Sequence, residues 1–135
     1  MGILDLFGKK EVPANGDSIY NIKWEMHPLR LEANKNDYID LDLELVNTFG
    51  REALTSIIIT VPKPLGLDQS SLSQEREIRL GQVMPGEKIE KKVRIYTNQR
   101  TDKGVYNIRV HAISHYHDYA YVLNEARKTI PLRVV

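Results

Sequence analysis

Apolar and acidic residues alternate from Tyr38 to Asn47, and this pattern limits the chain more than any other feature. The aliphatic positions are Ile39, Leu41, Leu43 and Leu45, and the acids between them are Asp40, Asp42 and Glu44. Successive side chains of a β-strand point to opposite faces, so the aliphatic residues share one face and the acids share the other. On a helix the acids would be scattered around the circumference. The stretch therefore predicts a strand with one buried face and one wet face.

A spacing of two recurs along the chain from Ser18 onward, and the helical spacing of three and four is nearly absent. Further strands are predicted near residues 20–26, 54–61, 78–83, 88–97, 105–114 and 128–135. Turn residues separate them, most clearly at Met84-Pro85-Gly86-Glu87, where proline and glycine occupy the central positions of a type II turn. About seven such strands predict an all-β fold, a two-sheet antiparallel β-sandwich.

The first predicted strand is interrupted by a proline. Tyr20, Ile22, Trp24 and Met26 alternate with polar residues, and Pro28 follows. Because proline has no N–H to donate to a neighbouring strand, we expect an edge strand that breaks at Pro28 and resumes at Leu29 and Leu31. An exposed edge can pair with a second copy of the chain, so a homodimer through this strand is one expectation for the oligomeric state.

Composition excludes several classes of function. The chain has 135 residues, 41% of them hydrophobic, which is the size and content of one domain with its own core. It contains no cysteine, so disulfides, thiolate metal sites and a cysteine nucleophile are excluded. Its formal net charge is +1, and a nucleic-acid partner is therefore not expected. We expect no cofactor.

Apolar runs in the chain are short. The longest one in its body is Ile57-Ile58-Ile59, far below the roughly 20 residues that cross a bilayer, so no transmembrane segment is expected. Residues 1–10 lack the cationic start, apolar middle and small-residue cleavage site of a secretory signal. These features predict a cytoplasmic protein.

Three motifs resemble those of a known superfamily. They are the strand 37–47 ending in Asn47, the turn Leu80-Gly81-Gln82-Val83-Met84-Pro85-Gly86-Glu87, and Gly104-Val105-Tyr106-Asn107-Ile108-Arg109-Val110. This order resembles the cell-adhesion-related (CARDB-like) immunoglobulin-like domains of archaea and bacteria, over roughly residues 29–135. The resemblance implies an immunoglobulin-like sandwich of about seven strands, a fold that serves mostly in binding or spacer modules. The segment 114–127 is longer than the usual final connection of that superfamily.

Immunoglobulin strand order makes a prediction about pairing. It places strand 38–47 beside strand 88–97, so that Asp40, Asp42 and Glu44 lie across from Lys92 and Arg94. Exposed pairs of this kind stabilise a sheet by only tenths of a kcal/mol, but they penalise wrong registers. Lys91 falls on the inward side of its strand, so its amine must reach out to water or sit at a bulge.

The N-terminal segment 1–17 is predicted to be an apolar tail on a linker, followed by the sandwich at 18–135. If the tail is helical, its apolar side is formed by Ile3, Leu4, Leu6 and Phe7. Such a tail is suited to a groove on a protein partner or to weak contact with a membrane surface. The alternatives are that it packs on its own sandwich or covers an edge strand, or that it is disordered and without function. The sequence leaves these alternatives open.

The segment 114–127 carries the other candidate functional residues. Tyr116, Tyr119 and Tyr121 are candidates for binding a partner, because tyrosine offers a large contact area at a small entropic cost. An alternative function uses His111, His115 and His117 as ligands of zinc or copper. Serines of the chain lack the surroundings of a catalytic nucleophile, so the sequence predicts a non-catalytic binding or adaptor module.

Overall fold

The computed structural model describes residues 19–135, and all regular elements of this part of the chain are β-strands. They form a three-stranded sheet in the order β1-β3-β6 and a five-stranded sheet in the order β2-β8-β7-β4-β5. The strands are β1 Tyr20–His27, β2 Arg30–Leu31, β3 Asp37–Asn47, β4 Ala53–Thr60, β5 Glu75–Val83, β6 Lys88–Thr97, β7 Gly104–His115 and β8 Val122–Val134. The predicted all-β, immunoglobulin-like sandwich is confirmed, with eight strands in place of about seven.

The pairing predicted for β3 and β6 is confirmed. The two strands are antiparallel, with Asp40 opposite Arg94 and Asp42 opposite Lys92. Asp40 and Arg94 form an ion pair with 2.9 Å between Oδ1 and Nε, and the same guanidinium lies 4.0 Å from the ring centroid of Tyr38. Glu44 lies opposite Glu90, so the third acid differs from the prediction. It pairs instead with Lys88, at 3.7 Å.

The first strand ends as expected, but its continuation lies elsewhere. β1 is the outer strand of the three-stranded sheet and stops at His27, before Pro28. The chain then enters the other sheet, where β2 pairs parallel with the last residues of β8. Leu29 is exposed and Leu31 is buried. The edge position and the break are therefore confirmed, and the continuation differs because the chain moves from one sheet to the other at the break.

The core lies between the two sheets and follows the predicted alternation. The four alternating aliphatic residues of β3 are buried. Ile39, Leu41 and Leu43 pack in one cluster with residues of β4, β7 and β8, and Leu45 packs in a second cluster with Ala112 and Ala126. The connection 61–74 contributes to the core, since its Val61, Leu65 and Leu67 are buried. Lys91 is exposed, although its parity on β6 is inward. The charged amine thus reaches water at the edge of the sheet, as predicted.

The irregular part of the segment 114–127 is shorter than predicted. β7 continues to His115 and β8 begins at Val122, so only residues 116–121 lack strand structure. Glu125, Ala126 and Arg127 pair with β7 although they alternate weakly in hydropathy. Ala126 is small enough to fill its place in the core, where it is 1% exposed. The pattern of large apolar residues therefore missed the first half of β8.

Asn47 joins two connections at one end of the sandwich. Its side chain is buried, and its amide donates to the carbonyl oxygens of Arg51 at 2.9 Å and Val83 at 2.8 Å. Its Oδ1 accepts from the backbone N–H of Phe49 at 2.7 Å. The backbone N–H of Gly86 donates to the carbonyl oxygen of Asn47. One side chain therefore fixes the β3–β4 connection against the turn between β5 and β6.

We expect Asn47→Asp to lower the free energy of unfolding by about 2–4 kcal/mol, because a carboxylate cannot donate to the two carbonyl groups that the amide satisfies. Urea denaturation of the parent chain and the variant measures the difference. Asn124→Asp is the matched control, since Asn124 is exposed on β8. Equal stability of the two variants would contradict this account of Asn47.

The pair of Asp40 and Arg94 makes stability depend on pH. The hydrogen bond from Arg94 holds the pKa of the Asp40 carboxyl below its usual value. A carboxyl of this kind stabilises the fold above its ordinary pKa, near 4, and the effect is lost as the pH falls through its lower folded value. We expect Asp40→Asn to lower the melting temperature at neutral pH, and the difference to vanish in strong acid. Glu90→Gln, which removes an acid facing Glu44, is the control and shows no such pattern.

Candidate functional site

Three connections and the start of β1 meet at one end of the sandwich, which we call the Asn47 end. The connections are residues 48–52 between β3 and β4, 84–87 between β5 and β6, and 116–121 between β7 and β8. The registers of the strands place them together, because Asn47 lies opposite Tyr20 and Ala53 lies opposite Val83. The described chain therefore begins at this end, at Ile19.

Large apolar side chains are exposed at the Asn47 end. Those on the β7–β8 hairpin, which we call the hairpin tip (residues 116–123), are Tyr116 at 55%, Tyr121 at 61%, Val122 at 62% and Leu123 at 56% exposure. Phe49 and Met84 on the neighbouring connections are about half exposed. Val122 and Leu123 were not among the residues singled out in the sequence. Their signal was two adjacent apolar residues beside a turn, which breaks the alternation of a half-buried strand.

A β-bulge accounts for the exposure of two adjacent apolar residues. Ser114 is opposite Asn124 and His115 is opposite Val122, so Leu123 is the extra residue and has no partner on β7. The other edge of β8 is paired with β2 only at Arg133 and Val134. The described chain thus leaves the edge of β8 at the hairpin tip open, with apolar side chains beside unpaired backbone groups.

Tyr119 turns back from the hairpin tip onto the outer face of its own sheet. Its hydroxyl accepts a hydrogen bond from the backbone N–H of Gly81 on β5, at 2.9 Å. Its ring lies edge-on against His115, with 5.0 Å between centroids, and the Arg79 guanidinium lies 4.6 Å from the ring centroid. Gly81 adopts a φ of +76° at the bulge between β4 and β5, and this frees its N–H from the ladder. Of the three predicted tyrosines, Tyr116 and Tyr121 are exposed and Tyr119 packs on the sheet.

A serine and a histidine are in contact near Tyr119. Ser56 Oγ and His115 Nε2 are 2.7 Å apart, and both residues are buried. The distance is that of a nucleophile and its base. However, Ser56 is 0% exposed, so a substrate has no access to its hydroxyl. The pair therefore acts as a buried hydrogen bond of the sheet's outer face.

The three histidines proposed as metal ligands are engaged separately. His111 Nδ1 lies 2.6 Å from Glu125 Oε2, His115 contacts Ser56, and the ring of His117 lies 4.0 Å from that of Tyr116. Among residues 19–135, one group of three side chains places its potential metal-ligand atoms within 4.8 Å of one another. None of the three predicted histidines belongs to that group. The structure does not bring this predicted constellation together.

That group is formed instead by Glu25, His27 and Asp42 on the outer face of the three-stranded sheet. His27 Nε2 lies 3.1 Å from Glu25 Oε1 and 3.7 Å from Asp42 Oδ2. The side chain of Glu25 is 72% exposed and that of His27 is 60% exposed, so water surrounds the group. Glu25 and His27 alternate outward on β1, but the register with β3 that adds Asp42 was not predicted. The contacts are those of an exposed cluster of one imidazole and two carboxyl groups.

The remaining predicted site residues, Ile3, Leu4, Leu6 and Phe7, lie outside the described residues, as does the whole predicted tail 1–17. Within the described part, no helix has the length and apolar character needed to cross a membrane.

Comparisons with known proteins concern the fold. No protein-family model and no curated protein matches the sequence. AvmM, which catalyzes macrocyclization in alchivemycin A biosynthesis, has a similar structure, with a TM-score of 0.60 and 7% identity over 87% of this chain and 89% of that one. BslA, a bacterial hydrophobin, shows a TM-score of 0.45 and 12% identity over 87% and 95%. The ASH/PapD-like domain 7 of human CEP192 shows a TM-score of 0.42 and 15% identity over 100% of this chain and 96% of that one. The chain is an immunoglobulin-like sandwich, and identities this low carry no statement about function.

We expect Tyr119→Phe to lower the free energy of unfolding by about 0.5–1.5 kcal/mol, because the N–H of Gly81 loses its acceptor. Amide hydrogen exchange by NMR reads the effect at the site, and the Gly81 amide exchanges faster in the variant. Tyr116→Phe is the matched control, since the Tyr116 side chain is exposed. Unchanged exchange at Gly81 would show that the phenol does not hold the hairpin tip on the sheet.

Proposed function

We propose that this chain is a non-catalytic binding module that holds a protein partner at the hairpin tip. The observation that carries the proposal is the exposure of Tyr116, Tyr121, Val122 and Leu123, each more than half exposed, on one short hairpin. Clusters of aromatic and aliphatic side chains of this kind form the buried centres of protein interfaces. In this proposal the tail residues Ile3, Leu4, Leu6 and Phe7 add a second contact with the same partner, since the described chain begins at the Asn47 end.

Two features support a specific mode of contact. The edge of β8 is open beside Val122 and Leu123, so an extended segment of the partner can add to it as a further strand. Tyr119 is bonded to Gly81 and covers His115, and this anchors the hairpin tip to the sheet before binding. An anchored hairpin loses less conformational entropy on association than a free one.

The non-catalytic part of the proposal has its own support. The serine–histidine contact in the described residues is buried, so it offers no nucleophile to a substrate. The likeness to AvmM is at 7% identity and therefore concerns the fold. The resemblance of the sequence to the cell-adhesion-related immunoglobulin-like domains agrees with a binding role and is part of the proposal.

Site-specific photo-crosslinking tests the proposal. The photoreactive residue p-benzoylphenylalanine is placed at position 121 or 123 of the full chain, in the cells that produce it, and at position 38 as a control. Tyr38 is 43% exposed but lies at the opposite end of β3. We expect positions 121 and 123 to capture the same protein, identified by mass spectrometry, and position 38 not to capture it. Equal capture at all three positions, or none at 121 and 123, overturns the proposal.

The captured protein is then purified and its affinity for the chain is measured. Tyr121→Ser and Leu123→Ser are expected to weaken binding at least tenfold, a usual loss for central apolar contacts. Both side chains are exposed, so unfolding curves of the variants stay close to that of the parent chain. Co-sedimentation with anionic liposomes, with and without residues 2–10, examines the alternative of a membrane-surface tail. Sedimentation that depends on the tail alone would favour that alternative.

A further inference from the structure

β1 is an outer strand whose other edge is paired with no described strand. It has eight residues and pairs only with β3. The chain's single tryptophan, Trp24, lies at its middle. Trp24 shares parity with buried Ile22 and Met26 but is 36% exposed. An edge of this length that the described strands leave open, with an exposed indole, is a template for another strand.

Hydrogen bonds at the start of β1 show which of its residues direct their backbone groups to β3 and which direct them to the open edge. The N–H of Thr48 donates to the carbonyl of Ile19 at 2.7 Å, so these two residues form a bonded pair of the antiparallel ladder. The N–H and carbonyl of Asn47, which lies opposite Tyr20, bond instead to Glu87 and Gly86 on the far side of β3. Bonded pairs alternate with non-bonded pairs. The residues that direct their backbone groups to the open edge are therefore Tyr20, Ile22, Trp24 and Met26.

We propose that this edge pairs with a second copy of the chain, antiparallel, about a two-fold axis at Trp24. The two Trp24 residues then form a hydrogen-bonded pair, and Ile22 of each copy faces Met26 of the other. Two bonds at each of three pairs make about six inter-chain hydrogen bonds. The non-bonded pairs place Lys23 of each copy opposite Glu25 of the other, where side chains approach most closely. On the outer side of the joined sheets, each lysine of one copy thus faces a glutamate of the other copy.

Charge selects this register over its neighbours. A shift that moves the axis to residue 23 puts Lys23 opposite Lys23, and a shift to residue 25 puts Glu25 opposite Glu25. Like charges directly opposite destabilise a sheet. Pro28 has no N–H and follows the last residue of β1, so the pairing ends there on both copies. The open edge of β1 is a surface distinct from the hairpin tip.

Mixing two charge variants of the full chain tests the pairing. Lys23→Glu creates Glu–Glu pairs and Glu25→Lys creates Lys–Lys pairs, so we expect each variant alone to dimerise at least tenfold more weakly than the parent chain. In an equimolar mixture every position 23 faces an opposite charge at position 25, and a heterodimer forms. Sedimentation velocity over a range of concentrations measures all four samples. Circular dichroism checks their folds, because Lys23 also lies opposite Glu44 and Glu25 opposite Asp42.

Single cysteines report the register, since the chain has none of its own. Opposed residues of a bonded pair have Cα atoms about 5.5 Å apart, within the range of a disulfide. Under mild oxidation, Trp24→Cys is expected to give a disulfide-linked dimer, whereas Lys23→Cys and Glu25→Cys form no inter-chain disulfide, because neither cysteine faces its own copy. A dimer with cysteine at 23 or 25 alone identifies another register and overturns the two-fold axis at Trp24.

Three further outcomes overturn the proposal. The first is that the parent chain sediments as a monomer up to about 1 mM, because a dissociation constant above this concentration is too weak for a specific dimer. The second is a mixture of the charge variants that behaves like the separate variants. The third is dimerisation only after deletion of residues 2–10, which would show that the chain's own tail occupies the edge.

Discussion

β3 is the central strand of the three-stranded sheet, and one of its faces must be apolar while the other must be polar. Its inward face buries Ile39, Leu41, Leu43 and Leu45 against the other sheet. A slip of one residue would expose all four and bury the acids between them, which is a large cost for a small shift. β1 and β6 take their registers from this strand, with ten paired positions along β6. The connection after Asn47 is held by the same strand, so the Asn47 end is placed by the parity of β3.

The two candidate surfaces use different physical means. The hairpin tip presents apolar side chains on a hairpin that Tyr119 attaches to the sheet. The edge of β1 presents backbone groups, and its specificity lies in the order Lys23, Trp24, Glu25. The first surface recognises shape and apolar area, and the second recognises a strand of matching charge. Both lie away from the β3–β6 pairing, which is occupied by ion pairs within the sheet.

The spacing of apolar residues was sufficient to predict the strands that carry large apolar side chains. It was insufficient to predict the other elements. The pairing of Asp40 with Arg94 was predictable because strand order and alternation together set the register. The first half of β8 was not, since its inward position is occupied by Ala126, which is too small to mark a strand. The move of the chain between sheets at Pro28 has no periodic signal either. The contacts of Tyr119, and the separation of His111, His115 and His117, depend on how a short turn folds over its sheet, which local sequence does not determine.

The sheet change at Pro28 also has a mechanical meaning. β2 runs parallel to the end of β8, and the backbone of Val135 bonds to Leu31 at 2.8 Å and to Ala33 at 2.7 Å. The described chain starts at one end of the sandwich and finishes at the other. Tension applied between its two ends therefore loads these parallel bonds together, in shear, and does not open them one at a time. The short strand β2 thus joins the early and the last part of the described chain through bonds that such a load would stretch at the same time.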